Sequence, residues 1–300
     1  MLRTRVLTAV VLAPVILVVA WVREPWLSLL VLIAGVVALL EVTELLGAGG
    51  FPTSRPVTVL TGAAVIGAFV VALNRAAISA AWTTGPGVFV LGALPLLVLL
   101  AGIMILAGAA LSLGQPRDGL VAWVAGVFAA AYLGLLVPMI AAVGHLGPPG
   151  GTQDTVVGQV DLASGTAWLL LLVLGVWSCD SGAYLVGRSI GRRQLAPRVS
   201  PGKTVEGLVG GLVAAVVVIG LTGTLLVGLA PWQAIVLGGL VGLIAPIGDL
   251  AKSMLKRTAD RKESGSLFPG HGGMLDRLDS LLFGAAVVVI FALVVSGAGI

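Results

Sequence analysis

The sequence predicts an all-α, polytopic integral membrane protein, and two observations carry that prediction. Of the 300 residues, 58% are hydrophobic and only 10% are charged, and the mean hydropathy is +1.13. A soluble domain has about 25% charged residues, so the bilayer is the solvent that suits this chain. The second observation is a series of nine apolar segments, most of them near the roughly 20 residues that a spanning helix needs.

The nine segments are predicted as spanning helices, in chain order, at 6–22, 26–46, 57–74, 88–112, 119–143, 166–187, 206–228, 232–249 and 278–298. Proline and glycine inside them are compatible with membrane helices. The first segment also has features of a signal peptide, but the many apolar segments that follow favour a spanning helix. Small residues four apart, Gly207 with Gly211 and Gly238 with Gly242, predict close helix packing.

Basic residues predict the orientation. If the N-terminus lies in the cytoplasm, only Arg23 and Arg75 of the 17 Lys and Arg residues fall outside, as the positive-inside rule requires. With nine spans in the cell membrane, the C-terminus would then lie on the outer side. We treat 1–300 as one membrane domain, with 1–165 as scaffold helices and 166–300 as the catalytic half, because eleven basic residues follow Asp180. The single cysteine excludes an internal disulfide.

Asp180 is the first candidate functional residue. It lies in the apolar stretch WSCDSGAYLVGR, about two turns before the predicted helix leaves the membrane. An intramembrane carboxylate is costly and indicates function by default. Tyr184 shares its helix face. The alternative is a structural ion pair between Asp180 and Arg188.

The block VSPGKTVEG, residues 199–207, ends in the GKT of a P-loop. It is not a P-loop, because Pro197 stands where the first glycine is needed, Pro201 lacks an N–H, and a membrane helix rather than a strand is predicted before it. Lys203 and the hydroxyls of Ser200 and Thr204, at the start of a helix, still suit a phosphate. The alternative is a helix-capping, positive-inside turn.

The longest polar run, 248–280, is the third candidate. Asp249 is predicted to end one helix, while Asp276 and Asp279 open the next on one face. Carboxylates beside basic residues suit Mg²⁺ together with phosphates, and the glycines near His271 allow close approach of a ligand. The alternative is a cytoplasmic loop that merely follows the positive-inside rule. Together the three candidates indicate a cytoplasmic site that handles phosphates with a divalent metal, with a substrate that is half lipid and half nucleotide.

The stretch SMLKRTADRKESGSLFPGHGGMLDRLD, from Ser253 to Asp279, resembles the signature of phosphatidate cytidylyltransferases, the CDP-diacylglycerol synthases. One fixed position departs from that signature, because Glu263 stands where the pattern has Asp. The block 180–207 is also similar to the upstream block of the family. The resemblance covers about 100 residues of the C-terminal half, whereas the N-terminal half matches only as apolar helices.

The resemblance implies a multi-pass membrane enzyme, often a homodimer, that converts CTP and phosphatidate to CDP-diacylglycerol and pyrophosphate with Mg²⁺. We also allow for a second, monovalent cation such as K⁺. No nucleic-acid partner is expected. On this basis Asp249 and Asp276 are the first-choice Mg²⁺ ligands. Asp180 and Asp279 are the second choice, as ligands or as groups that orient the ligands. Lys203, with Ser200 and Thr204, is expected to hold the CTP phosphates. The lipid phosphate or the pyrophosphate is assigned to Lys256, Arg257, Lys262 and Arg277, and His271 to phosphate binding or to holding its loop.

Two other functions stay open. A CTP-dependent lipid kinase would transfer the γ-phosphate to an alcohol, and it would need a base near a hydroxyl. A transporter would line a path with polar residues through several helices, but the first five predicted spans hold few, apart from Glu41 and Glu44 near one end. A CDP-alcohol phosphotransferase is disfavoured because the chain has no D-G-x2-A-R block.

Overall fold

Eight helices long and apolar enough to span a membrane make up most of the computed structural model, which describes residue 14 and residues 18–22, 24–74, 86–147, 155–157, 160–162, 164–268 and 272–296. They are α1 (Trp26–Ala48), α2 (Arg55–Leu73), α3 (Pro86–Leu111), α4 (Pro116–Gly144), α5 (Ser164–Ile190), α6 (Val205–Thr222), α7 (Pro231–Thr258) and α8 (Leu275–Ser296). A π-helical turn, Gly223–Val227, continues α6. The polytopic all-α class is confirmed. Most of the predicted first span lies outside the described residues, although 18–22 are helical, so the count of nine stays a prediction.

The chain packs into two compact units, and each is assembled from separate segments. The first contains Glu24–Ala141 and Leu255–Asp276, whereas the second contains Ala142–Met254 and the chain from Arg277 on. The predicted division into a scaffold half and a catalytic half stays a prediction. In the first unit, however, the segment 255–276 packs with helices of the N-terminal half.

Close packing of helices in the second unit is made possible by the predicted small residues. A Cβ atom on Gly207 or on Gly211 would lie 2.7 Å from a carbonyl oxygen of α5, that of Ala183 or of Cys179 respectively. A Cβ on Gly238 would lie 2.7 Å from Val216 Cα in α6. Larger side chains would push these helices apart, so the prediction from the small-residue spacing is confirmed.

Helix α7 is longer than its apolar segment, and the prediction that Asp249 ends a helix was wrong. The helix continues to Thr258, and its polar last turns bury Lys252 and Ser253. It ends in a Schellman-type cap, in which Asp260 has φ 52° and Arg261 N donates to Lys256 O at 2.8 Å. The predicted end was the point where the apolar residues stop. The backbone hydrogen bonds of α7 continue for about two and a half turns beyond it.

Two short antiparallel hairpins lie between helices. Strands β1 (Thr155–Val157) and β2 (Val160–Leu162) pair in the predicted outer loop, and β3 (Gln194–Ala196) pairs with β4 (Ser200–Thr204). The GKT residues therefore lie in a strand that runs directly into α6, so the prediction that a membrane helix directly precedes them was wrong. The two prolines still exclude a P-loop, because the glycine at the first position and the N–H at Pro201 are both missing.

Candidate active site

A network of ammonium and carboxylate groups in the second unit is the centre of the candidate site. The Lys203 ammonium lies 2.6 Å from Asp249 Oδ2, and the Lys252 ammonium lies 3.0 Å from Asp249 Oδ1. Lys252 also pairs with Asp279. We call Asp180, Lys203, Asp249, Lys252 and Asp279 the lysine–aspartate cluster. It unites residues that the sequence predicted separately, and it adds Lys252.

Three elements position this cluster. Lys203 extends from β4 towards α7, where its ammonium also lies 3.5 Å from Pro246 O. Lys252 follows Asp249 by three residues in α7 and is 5% exposed. Asp279 lies in the second turn of α8, which approaches α7 closely because a Cβ on Gly248 would lie 2.5 Å from Asp279 O. A buried ammonium is stable only beside carboxylates, and Lys252 has two.

Asp180 lies within electrostatic range of Asp249, Asp279 and the two lysines. Its side chain is exposed, and it makes no hydrogen bond or ion pair with any residue that the structure describes. The alternative ion pair with Arg188 is wrong, because Arg188 Nη1 donates to Tyr184 Oη at 2.9 Å instead. Asp180 thus offers its oxygens to a ligand.

The donor set of the lysine–aspartate cluster fits a hard cation. Asp180, Asp249 and Asp279 supply carboxylate oxygens, which are the ligands that Mg²⁺ prefers. Within the described chain, no three His, Cys, Asp or Glu side chains already stand together in a metal-binding arrangement. The ammonium groups of Lys203 and Lys252 neutralise two of these carboxylates instead.

The GKT block combines a helix cap with an ammonium. Thr204 is the N-cap of α6, and its Oγ1 accepts a hydrogen bond from Gly207 N at 3.0 Å. The capping alternative is therefore correct for Thr204, which leaves its hydroxyl proton available to a ligand. Ser200 lies in β4 opposite Ala196. Glu206 fixes the start of the hairpin by accepting from Arg192 N at 3.0 Å and from Arg193 N at 3.2 Å.

Asp276 lies in the first unit and holds the signature segment together. Its Oδ1 pairs with the Lys256 ammonium at 2.7 Å. Its Oδ2 accepts from Ser264 N at 2.8 Å and from Gly273 N at 3.2 Å, and it lies 3.0 Å from Ser264 Oγ. Two of these donors are backbone N–H groups, whereas the ion-pair partners of Asp249 are mobile lysine ammonium groups. Asp276 therefore fits a metal less well than Asp249, and its ligand role stays a prediction.

The glycines of the signature have geometric reasons. Gly272 has φ +79°, a backbone conformation that favours glycine, and a Cβ there would lie 2.5 Å from Asp276 Oδ2. A Cβ on Gly273 would overlap Glu41 and Ser264. The neighbouring His271 lies outside the described residues, so its predicted role stays a prediction.

The other predicted basic residues differ in their surroundings. Lys256 is half-buried against Asp276, whereas Arg257, Lys262 and Arg277 are exposed. Arg257 Nη1 lies 3.4 Å from Arg261 O. Glu263, the departure from the signature, is exposed, so its longer side chain meets no steric obstacle. The assignment of these cations to the lipid phosphate stays a prediction.

Two buried charged residues were missed by the sequence analysis as members of a site. Lys252 was counted only within a basic run, although its spacing from Asp249 places both on one face of a helix. Glu41 was placed in the scaffold helices, and it is 8% exposed in a largely apolar helix. An ionisable residue within a spanning helix is itself a signal of function.

The described residues contain eight helices long and apolar enough to span a membrane, and a cluster of paired lysines and aspartates. These features define a polytopic membrane protein with a polar site in its second unit. A sequence model described as the Cytidylyltransferase family matches residues 3–295. The chain therefore belongs to the cytidylyltransferase family.

The chain is also similar to individual proteins, two of which are named as cytidylyltransferases. The chain is 36% identical over 203 residues to Uncharacterized protein YnbB of Escherichia coli K12, which is 65% of this chain and 62% of the relative. It is 32% identical to the Phosphatidate cytidylyltransferase of Brucella suis over 97% of this chain and 93% of the relative. The protein of the same name from Bacillus subtilis is 44% identical over 40% of this chain and 45% of the relative.

Proposed function

We propose that this chain is a phosphatidate cytidylyltransferase, which forms CDP-diacylglycerol and pyrophosphate from CTP and phosphatidate. The observation that carries the proposal is similarity over 97% of the chain to a relative with that name. The lysine–aspartate cluster supports it, because ammonium groups on carboxylates beside a helix start can be transferred to the phosphates of a nucleotide.

The proposed reaction needs no covalent enzyme intermediate. An oxygen of the phosphatidate phosphate attacks the α-phosphorus of CTP in line, a new P–O bond forms, and the bond between the α-phosphorus and the bridging oxygen breaks. The electron pair leaves with pyrophosphate. The nucleophile is already an anion and requires no general base, so catalysis consists of positioning and charge neutralisation.

The residues of this chain divide that work. Lys203, with the hydroxyls of Ser200 and Thr204, holds the CTP phosphates. Lys252 keeps the carboxylates of Asp249 and Asp279 in place. Cations on and after the last turns of α7, namely Lys256, Arg257 and Lys262, together with Arg277 in α8, neutralise the lipid phosphate or the departing pyrophosphate.

Mg²⁺ is the metal we propose for this reaction, held by Asp249 with Asp279, Asp180 and Asp276 as further candidates, and a second, monovalent cation such as K⁺ is part of the same proposal. When bound, Mg²⁺ neutralises phosphate charge and orients the phosphates. The fit rests on the oxygen donors of the lysine–aspartate cluster. We also propose a homodimer in the cell membrane.

Isotope labelling of CTP tests the proposed reaction class. The α-phosphate stays with the cytidylyl group, so we expect lipid to carry label from [α-³²P]CTP and none from [γ-³²P]CTP. The measurement is lipid extraction and chromatography after incubation of the purified protein with CTP, phosphatidate and Mg²⁺, with phosphatidate omitted as the control. Lipid labelled from the γ-phosphate would establish the kinase alternative instead.

Cysteine labelling tests the proposed orientation, with the N-terminus in the cytoplasm and the C-terminus outside. The buried Cys179 is first replaced by alanine to remove the native thiol. We expect a cysteine at Thr152 to react with an impermeant maleimide on intact cells, and a cysteine at Ser266 to react only after permeabilisation. Both variants must keep activity. The opposite pattern would separate the site from cytoplasmic CTP and contradict the proposal.

A further inference from the structure

Glu41 is a buried carboxylate in α1, a helix of the N-terminal half. It is 8% exposed, and its neighbours along the helix are almost all apolar. A charge in such a place is costly unless hydrogen bonds compensate it. The partners of Glu41 therefore indicate why the chain retains a charge there.

Among the described residues, the hydrogen bonds of Glu41 come from the signature segment, 253–279. Oε1 accepts from Met274 N at 2.8 Å, and Oε2 accepts from Leu275 N at 2.9 Å. Ser264 Oγ lies 2.8 Å from Oε2. Leu275 is the first residue of α8, so its amide and that of Met274 lack acceptors within the helix. Glu41 therefore caps α8 from another helix, and its negative charge interacts favourably with the positive end of the α8 helix dipole.

Two glycines of the signature segment make room for this carboxylate. A Cβ on Gly265 would lie 2.6 Å from Glu41 Oε1, and a Cβ on Gly273 would overlap both carboxylate oxygens. The segment approaches α1 closely from both sides of the loop, at 264–265 and at 273–275. Glu41 therefore fastens the two ends of the loop to each other.

The same loop holds Asp276. Asp276 Oδ2 accepts hydrogen bonds from the backbone N–H groups of Ser264 and Gly273. Glu41 hydrogen-bonds to the Ser264 hydroxyl and packs against Gly273. The Ser264 hydroxyl has one proton and lies within hydrogen-bond distance of both carboxylates. A displacement of Glu41 would thus move Asp276 and the first turn of α8.

We infer that Glu41 is a positioning residue for nucleotidyl transfer. It holds the two ends of the loop before α8, at 264–265 and 273–274, and the start of α8 in the geometry that the reaction needs. The inference rests on the proposed function. Both carboxylate oxygens of Glu41 accept hydrogen bonds from this segment, so we expect its loss to act on the arrangement of the reacting groups rather than on substrate binding. It is a contribution of the N-terminal half to the chemistry of the C-terminal half.

Glu41→Gln is the discriminating variant. It keeps the size of the side chain but replaces one acceptor oxygen by an NH₂ donor, which cannot accept from an amide N–H. We expect kcat to fall by about 10- to 100-fold, as for residues that orient catalytic ligands, with the KM values for CTP and phosphatidate changed by less than about threefold. The matched control is Glu44→Gln, one turn further in α1, whose exposed ion pairs with Arg55 and Arg261 contribute little.

Hydrogen–deuterium exchange of the amides of 273–275 supplies a readout that does not depend on activity. We expect exchange to rise by about tenfold at whichever of Met274 and Leu275 faces the NH₂ group in Glu41→Gln, in line with the loss of one hydrogen bond, and to stay unchanged at both amides in Glu44→Gln. Gly265→Ala, which displaces the carboxylate without removing it, should act in the same direction and serves if Glu41→Gln does not fold.

The outcomes separate the two proposals. Unchanged exchange in Glu41→Gln and Gly265→Ala would show that Glu41 does not hold the loop, and faster exchange with unchanged kcat would show that the reaction does not need the loop held. Either result overturns the inference. A wild-type protein that forms no CDP-lipid would overturn the proposed function instead, whereas the exchange rates would still decide the contact.

Discussion

Asp249→Asn is expected to lower kcat by at least about 100-fold while the protein still inserts in the membrane, an effect of the size seen when one charge-stabilising group is lost. Asp249 accepts both ammonium groups of its cluster, from Lys203 at 2.6 Å and from Lys252 at 3.0 Å. Asparagine keeps the shape but removes the charge and one acceptor oxygen. A metal would lose a ligand, and Lys203 would lose the group that aims it.

The metal and ion-pair roles of Asp249 can be separated by titration. If Asp249 is a Mg²⁺ ligand, the residual activity of Asp249→Asn should need more Mg²⁺ for half-saturation. Adding Lys203→Gln removes the ammonium that has lost its carboxylate. The double variant should therefore regain the stability that Asp249→Asn loses, but not its turnover. Asp118→Asn, an exposed carboxylate in the first turn of α4, is the control and should remain near wild-type activity. Substantial turnover by Asp249→Asn at ordinary Mg²⁺ would falsify the ligand role.

The fold class followed from composition, because so little charge in 300 residues suits only a bilayer. Helix ends followed less well. The apolar pattern stops near Asp249, but α7 continues to Thr258 because backbone hydrogen bonds and the buried pairs of Lys252 sustain it. Hydropathy reports the environment of side chains and not the end of a hydrogen-bond ladder.

Most residues of the candidate site were predicted, but the ion pairs between them were not. Lys203 and Asp249 were each chosen from local patterns, yet 46 positions separate them, and only the packing of β4 against α7 brings them to 2.6 Å. Asp249 and Asp276 were grouped by their carboxylates alone. Their hydrogen-bond partners differ, and no local pattern in the sequence expresses that difference.

Glu41 shows a different limit. Its signal, a charge in an apolar helix, was present in the sequence, but its partners lie more than 220 positions away. The motifs that indicated chemistry all lie in the C-terminal half, so Glu41 was not linked to them. Contacts between segments that are distant along the chain are the feature that one sequence, taken alone, conveys least.

Lys203→Ala is expected to raise the KM for CTP or lower kcat by roughly ten- to a hundredfold, because a charged hydrogen bond contributes about 1.5–3 kcal/mol. Lys203 lies near the end of β4, two residues before the first residue of α6, whose first turn has backbone N–H groups without acceptors in the helix. A triphosphate there would be attracted by the lysine and by the helix N-terminus. Lys203→Arg should keep partial function, because the charge remains while the planar guanidinium reproduces neither the size nor the direction of the ammonium.

The structure predicts that this variant remains folded. When Lys203 is removed, Lys252 still pairs with Asp249 and with Asp279, so neither of these two carboxylates loses its last ammonium partner. Thr204→Ser, which retains the cap of α6, is the matched control and should change the CTP curve little. CTP is titrated at saturating phosphatidate, and phosphatidate at saturating CTP. A shift confined to the phosphatidate curve would move Lys203 from the nucleotide to the lipid head group, because an ammonium that is released from Asp249 binds whichever phosphate occupies the space beside it.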